Sequence, residues 1–259
     1  MIKVYKIGGN VVEDEKALKA FCKEFAALQG PKVLIHGGGV MASKMQEALG
    51  QKPLKIEGRR VTDEAALKVV TMTYAGWCNK HICALLQACG CNALGLSGCD
   101  GSVIKAAIRP PRVLEDGVTV VDYGFVGDVM PSSVNAALLK SFLQMGLTPV
   151  LSAINHDGKG RLLNTNADTM ASCVAASLGA SLVCCFELPG VMLDPDEPSS
   201  VLPTVNLSEY SRLKACGVIR DGMIPKIENC LSALRNGAES AEIRSAKGLD
   251  TDSGTKIMI

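Results

Sequence analysis

The apolar positions of the chain fall into short runs separated by longer amphipathic stretches. The runs are "IKVYKI" (2–7), "KVLIH" (32–36), "NALGLS" (92–97), "LTPVLS" (147–152), "SLVCCF" (181–186) and "AEIRSA" (241–246). Their length and apolar bias predict strands buried in a parallel sheet. Between most of them lie stretches with apolar residues at helical spacing: "DEKALKAFCKEFAALQ" (14–29), "VMASKMQEALG" (40–50), "TDEAALKVVTMTYAGWCNKHICALLQACG" (62–90) and "VNAALLKSFLQMG" (134–146). Such alternation predicts βαβ units, a mostly parallel sheet and helices on both faces, an α/β architecture. Two segments break the rhythm and read as hairpins, "PLKIEGRRVT" (53–62) and the long insertion "SVIKAAIRPPRVLEDGVTVVDYGFVGDV" (102–129). The uncharged segment "TMASCVAASLGASLVCCF" (169–186) approaches bilayer-spanning length, but Gly179 sits where a helix would be capped. It predicts a buried helix followed by a buried strand.

Glycine loops follow three of the strands: "KIGGN" (6–10), "HGGGV" (36–40) and "LSGCDG" (96–101). In open α/β sheets ligands bind beyond the carboxyl ends of the strands. A glycine turn that opens a helix lets the backbone approach a ligand and turns free N–H groups toward it, so this edge is expected to hold an anion.

Composition narrows the partner. Lysine and arginine number 27 against 26 acidic residues, a net charge of +1, and aromatic residues make up 4% of the chain. Neither the charge nor the supply of stacking rings suits a nucleic-acid surface. The eleven cysteines lie mostly in apolar stretches and include no C-x-x-C pair, so they read as small hydrophobes rather than as disulfide or zinc frameworks. The first residues form a strand rather than a signal peptide, and a reducing cytosol is the expected location.

Three candidate chemistries can be weighed. "GGGVMA" (37–42) matches G-x-G-x-x-A, with Glu57 about 20 residues on, the spacing of a dinucleotide site. Glu57, however, falls in the first hairpin rather than at the end of a parallel strand. A P-loop is missing altogether. Two lysines stand out instead. Lys6 interrupts an apolar strand beside two glycines, and Lys226, in "RDGMIPKIENC", follows an apparent helix start at Pro225 where a cation opposes the helix dipole. Both placements suit charges that serve an anion. In "LLNTNADTMA" (162–171), Asn164, Asn166 and Asp168 cluster before an apolar helix, where one of the latter two is expected to cap it. Asp168 is suited to orient two lysines. Arg60, between the hairpin and a helix capped by Thr62 or Asp63, is either a surface arginine or a carboxylate clamp.

Taken in order, "KIGGN", "VLIHGGG", "GRRVTDEA", "LSGCDG", "LLNTNADTMA" and "IRDGMIPKIENC" resemble the amino-acid kinase family over nearly the whole chain, most closely its branch that phosphorylates N-acyl-glutamates. The resemblance implies a three-layer αβα sandwich around a mostly parallel eight-stranded sheet. It implies an N-terminal lobe (1–179) for the acyl-amino acid and dimerisation, and a C-terminal lobe (180–259) for ATP. Lys6, Lys226 and Asp168 match the catalytic positions. Gly38, Gly39, Arg60 and Asn164 match the substrate-holding ones. Gly8, Gly9, Gly190, Asp221, Gly222 and Met223 match those near the phosphates and nucleotide. ATP and Mg²⁺ are implied, the metal carried by the phosphates rather than by a protein site. The implied activity is phosphorylation of the γ-carboxylate of an N-acyl-L-glutamate, most closely N-acetyl-L-glutamate, on the way to arginine or ornithine.

Some positions depart from the family. Cys99 stands where relatives carry lysine, and "ELPGVM" (187–192) replaces "DVPGVL"-like segments. The acyl group stays open, because hairpin residues 58–61 and the long insertion admit something larger than acetyl, N-succinylglutamate for example. Outside the kinases, an NAD(P)-binding oxidoreductase and a non-catalytic amino-acid sensor are the alternatives. The first strand begins at about Ile2, which leaves no room for the N-terminal helix of arginine-inhibited hexameric members. An arginine-insensitive homodimer is therefore expected, with no membrane or nucleic-acid partner. The stretch containing Trp77 is either its interface or a helix pair buried within one subunit.

Overall fold

Six strands of the central sheet are those expected from the apolar runs: β1 Lys3–Ile7, β2 Lys32–His36, β3 Ala93–Leu96, β4 Thr148–Ser152, β5 Ser181–Phe186 and β7 Ser240–Ser245. Two short strands, β6 Thr204–Val205 and β8 Thr255–Ile257, complete a sheet of eight in the order β6-β8-β7-β5-β1-β2-β4-β3. The computed structural model describes residues 1–114, 116–194, 196–220, 222–251 and 253–259. Every neighbouring pair in the sheet is parallel except β7 with β8. β1 lies between β2 and β5, with Lys6 in register with Ile35 and Cys184.

Helices cover both faces, giving the expected three layers. On one face α1 (Gly9–Glu13), α2 (Glu15–Ala27) and α5 (Asn79–Ala88) pack on the sheet through Val11, Leu18, Phe21, Ile82 and Leu86. The other face carries α6 (Ala136–Gln144), α7 (Ala167–Leu178), α8 (Leu207–Ala215) and α9 (Met223–Arg235). Its apolar cluster runs without a break from Val4 and Ile35 to Ile243 and Ile257. The termini of α2 show how local chemistry fixes an element. Asp14 accepts from the N–H groups of Lys16 (2.9 Å) and Ala17 (3.1 Å), an N-cap of the usual kind. At the other end the Lys32 ammonium donates to the carbonyls of Ala26 (3.2 Å) and Leu28, placing a cation at the negative end of the helix. Helix α7 ends at Gly179, whose φ of 61° is left-handed, and β5 follows, so the uncharged segment 169–186 is buried helix then buried strand. Among the described residues no helix is long and apolar enough to cross a membrane.

The stretch 62–90 is not one regular helix. α4 (Glu64–Thr71) passes through a π-helical segment, Met72–Cys78, before α5 begins. π segments are rare and concentrate at functional places. α3 (Gly39–Ala48) contacts both α4 and this segment.

Both expected hairpins form. Lys55–Ile56 pairs with Arg59–Arg60 around Glu57 (φ 48°) and Gly58 (φ 73°), the pair of positive φ values that a tight two-residue turn requires. The insertion folds as two small ladders around Val121, Tyr123 and Val126, and its core packs against Ile56 and Val61 of the hairpin. The join is a backbone one. Thr62 N–H donates to Tyr123 O (2.9 Å), and Phe125 N–H donates to Thr62 O (2.7 Å). Gly124 between them has φ 69°, and a Cβ there would lie 2.4 Å from Thr62 O. Gly124→Ala combines overpacking with a left-handed non-glycine residue and is expected to cost about 2–4 kcal/mol. Urea unfolding measures this as a lowered midpoint, and an unchanged midpoint would show that the insertion does not need this close approach.

Candidate active site

The carboxyl ends of β1, β2 and β5 open into a cleft of about 350 Å³ whose lining includes Lys6, Gly9, Gly38, Arg60, Asp168 and Lys226. Sequence separations of more than two hundred residues are closed here by the sheet order.

Lys6 projects from the next-to-last position of β1 and is only 7% exposed. A buried ammonium is expensive unless paired. Asp168, in the first turn of α7, supplies the partner, with its Oδ1 2.7 Å from Nζ. Burial by itself would lower the Lys6 pKa, but the charge and hydrogen bond of Asp168 outweigh it and hold the pKa above the ordinary 10.5. Asn166, rather than Asp168, caps α7, accepting from Thr169 N–H (2.9 Å). That leaves the aspartate free to face the lysine.

Lys226 lies in the first turn of α9, where Pro225 is tolerated because no intrahelical N–H bond is lost. Its Nζ donates to Gly222 O (3.0 Å) and sits 5.0 Å from the centroid of the Phe186 ring. Burial and then the charge of Lys6 lower its pKa, against the opposing pull of Asp168 and Glu187. Two ammonium groups therefore repel each other across the cleft, an arrangement that an entering polyanion relieves.

Arg60 is buried rather than on the surface (7% exposed). Its Nη2 donates to Gly39 O (2.8 Å) and Ser43 Oγ (2.7 Å), and its Nη1 donates to Gln46 Oε1. The guanidinium thus ties the hairpin to α3 and at the same time lines the cleft. Asp63 caps α4, accepting from Ala66 N–H (2.7 Å). Asn164 is buried and donates from Nδ2 to Thr62 Oγ1 (3.0 Å), joining β-hairpin and α7 approach at the cleft wall.

The glycines have more than one reason. A Cβ on Gly38 would meet Tyr74 Cδ1 at 2.9 Å and Cys78 Sγ at 3.0 Å, so the π segment presses directly on the loop. Gly8 donates its N–H to Cys185 O (3.2 Å), whereas Gly9 is the first residue of α1. Gly222 precedes α9 and Met223 begins it. Gly190 is buried against Thr255 and Val201, where a Cβ would lie 2.7 Å from Thr255 Oγ1, and it is not part of the cleft wall. Asp221 lies outside the described residues. Cys99 is exposed and away from the cleft, with its Sγ 2.9 Å from Ser97 Oγ. Glu57 sits in the tight turn, 3.6 Å from Arg112, not at the end of a parallel strand. That geometry is unlike a dinucleotide-binding acid.

Sequence reasoning missed three supporting residues. His36 is fully buried, and burial lowers its pKa to about 4, leaving a neutral ring at pH 7. Its Nδ1 donates to Gly37 O (2.8 Å), so its Nε2 accepts from Asn79 Nδ2 (3.0 Å). Asn79 also donates to Val150 O (2.9 Å), tying the ends of β2 and β4 together. Tyr74 lines the cleft beside Arg60 and Gly38. Nothing in "MTYAGWCNK" separates these residues from an ordinary amphipathic helix. Among the described residues no group of three His, Cys, Asp or Glu side chains could hold a metal ion.

With that geometry in hand, comparison with known proteins is informative. A profile described as the amino acid kinase family matches residues 1–245. The acetylglutamate kinase of Bacteroides fragilis is 46% identical over 260 residues, covering 99% of this chain and 96% of its own length. That of Cytophaga hutchinsonii is 44% identical, covering 96% and 94%. The crystal structure of smu.665 from Streptococcus mutans UA159 superposes with a TM-score of 0.76 at 28% identity, covering 99% of this chain and 98% of that one.

The ion pair yields a signed prediction. Asp168→Asn leaves the Lys6 ammonium buried alone and is expected to cost on the order of 3 kcal/mol at pH 7. In the native chain the pair's contribution is complete below the unfolded pKa and is lost only as pH rises through the still higher folded value. In the variant burial alone acts, so the folded pKa falls below the unfolded one and stability recovers as pH rises toward 10.5. The deficit between variant and native chain, measured as urea midpoints, should shrink between pH 7 and 10. A deficit constant across that range would remove Asp168 as the group that holds Lys6 charged.

Proposed function

This chain belongs to the amino acid kinase family, and on that premise we propose that it transfers the γ-phosphoryl group of ATP to the γ-carboxylate of N-acetyl-L-glutamate, in arginine biosynthesis. The observation that carries the reading is the buried Lys6–Asp168 pair with Lys226 beside it, at the mouth of two glycine loops. In this reaction an acceptor oxygen forms a bond to the γ-phosphorus while the bond from that phosphorus to the β–γ bridging oxygen breaks, giving an acyl phosphate and ADP. A carboxylate is already ionised at pH 7, so no general base is needed. The obstacle is repulsion between anions, and the work of the protein is positioning and neutralisation.

In this reading Lys6 and Lys226 neutralise the transferring group and Asp168 holds Lys6 in place. Gly38 and Gly39, at the start of α3, hold the γ-carboxylate. Arg60 takes the α-carboxylate with the donors that α3 leaves it, and Asn164 positions the acyl-amide end. Gly8, Gly9, Gly222 and Met223 approach the nucleotide, which occupies the side of the cleft built by residues 180–259. Residues 1–179 hold the acceptor. Asp168 is committed to Lys6, and Glu187 is the other carboxylate among the described lining residues, so the donor set fits a Mg²⁺ carried by the phosphates. When bound, the metal supplies further neutralisation of the phosphate charge. The free cysteines suit the reducing cytosol.

The reading is tested by trapping acyl phosphate as its hydroxamate after incubation with ATP, Mg²⁺ and N-acetyl-L-glutamate. Lys226→Ala should lower kcat by about 10² or more with the fold intact, comparable to the loss of one oxyanion donor. Nucleotide and amino-acid binding without hydroxamate would favour a sensor, and NAD(P) binding without ATP turnover an oxidoreductase.

We also propose a homodimer. The buried side of 64–88, including Val70, Tyr74, Ile82 and Leu86, packs within the subunit, but Met72 (58% exposed) and Trp77 (62% exposed) face outward. With Met41 and Met45 they line a shallow apolar groove. The strand β3 is half-buried along its length and forms one edge of the sheet. An exposed apolar groove and an open strand edge each suit an isologous two-fold contact. Light scattering should give twice the chain mass, and Trp77→Glu should shift it toward the monomer. A native monomer would refute the assignment.

A further inference from the structure

The charges around the cleft are not exhausted by the proposed reaction. Six cationic side chains line it, Lys6, Lys55, Arg59, Arg60, Arg109 and Lys226, against two described carboxylates, Asp168 and Glu187. Lys6 and Lys226 stand at the phosphoryl end. Lys55 is exposed and solvated. Arg109 is paired with Asp128, its Nε donating at 3.1 Å to each carboxylate oxygen, and its guanidinium lies 5.6 Å from the Tyr123 ring centroid. Arg60 is held on α3 and takes the one α-carboxylate of the acceptor.

Arg59 is left over. It is half-buried on the second strand of the Lys55–Arg60 hairpin, and among the described residues its guanidinium has no hydrogen bond and no ion pair. Burial and then the like charge of Arg109 disfavour its cationic form, against the opposing pull of Asp128. Guanidinium groups in such places are matched by planar carboxylates, which they bind with two parallel hydrogen bonds. An N-acetyl-glutamate brings two carboxylates, and both are already assigned.

Resting on the kinase reading above, we infer that Arg59 binds a third carboxylate, at the far end of the acyl group. The cleft then accepts, besides N-acetyl-L-glutamate, N-acyl-glutamates whose acyl group is itself a short dicarboxylic acid. The transfer step is unchanged, since the added carboxylate takes no part in bond making. Arg59 sets specificity rather than rate.

Three acceptors test this with the full chain, ATP and Mg²⁺ in the hydroxamate assay: N-acetyl-L-glutamate, N-succinyl-L-glutamate, and the neutral amide of the latter's succinyl end. The succinyl acceptor should exceed its neutral amide in kcat/KM by tenfold or more. Arg59→Gln should lower kcat/KM for the succinyl acceptor at least tenfold more than for the acetyl one, chiefly through KM, and Arg59→Lys should restore part of the difference. Equal kcat/KM for the succinyl acceptor and its amide, or an equal loss on all acceptors in Arg59→Gln, would overturn the inference. Turnover of the acetyl acceptor with none of the succinyl one sinks this inference and leaves the kinase reading standing. No phosphorylation of any acceptor by the folded native chain sinks both.

Discussion

A lysine ammonium at the end of a central parallel strand is stable only with a carboxylate against it, and that one requirement organises the molecule. Lys6 stands on β1, flanked by β2 and β5, where no solvent reaches most of its length. The chain must therefore bring the first turn of α7 to the end of β1. Asn166 supplies the cap and so releases Asp168 to face Lys6. Once α7 is fixed, α9 packs on it, and its first turn carries Lys226 to the same place. The pair that makes a buried cation tolerable also keeps it charged.

A second platform depends on α3. Arg60 anchors the hairpin to it from one side, and Tyr74 of the π segment presses on Gly38 from the other. Below, His36 and Asn79 tie the loop to the strand ends through neutral hydrogen bonds. His36 beneath the cleft wall is neutral, and the Lys80 ammonium donates to Asn79 Oδ1 (3.2 Å) on that side.

The six long strands, both hairpins and the buried helix–strand pair at 169–186 were legible because each has a periodicity or a turn signal of its own. β6 and β8 were not, since strands of two or three residues carry no pattern. The π segment was invisible for a different reason, because its residues are equally compatible with an α-helix. Lys6 and Lys226 stood out by sitting where local rules disfavour them, and Asp168 by clustering with Asn164 and Asn166 before an apolar helix. Arg60 was harder, since its burial depends on Gln46 and Ser43 of another element. Gly190 was read as near the nucleotide from its motif, yet the neighbours that require a glycine there are Thr255 and Val201. Arg59 was marked in the sequence only as one of the hairpin residues 58–61 beside the acyl group, because an arginine without a partner differs from a solvated one only once its neighbours are known.

The place of β1 in the sheet also bears on how the chain is made. β1 is made before β2 and pairs with it soon after, but its other edge is completed by β5, which emerges only with residues 181–186. Until then one flank of the innermost strand is an open ladder of backbone donors and acceptors, and Lys6 has no partner before Asp168 is made. Pairings so distant in sequence close slowly, and open strand edges recruit other chains. The lysine that is paired in the finished protein is then an unpaired charge on an unfinished edge, a deterrent to mispairing during the long interval before its aspartate arrives.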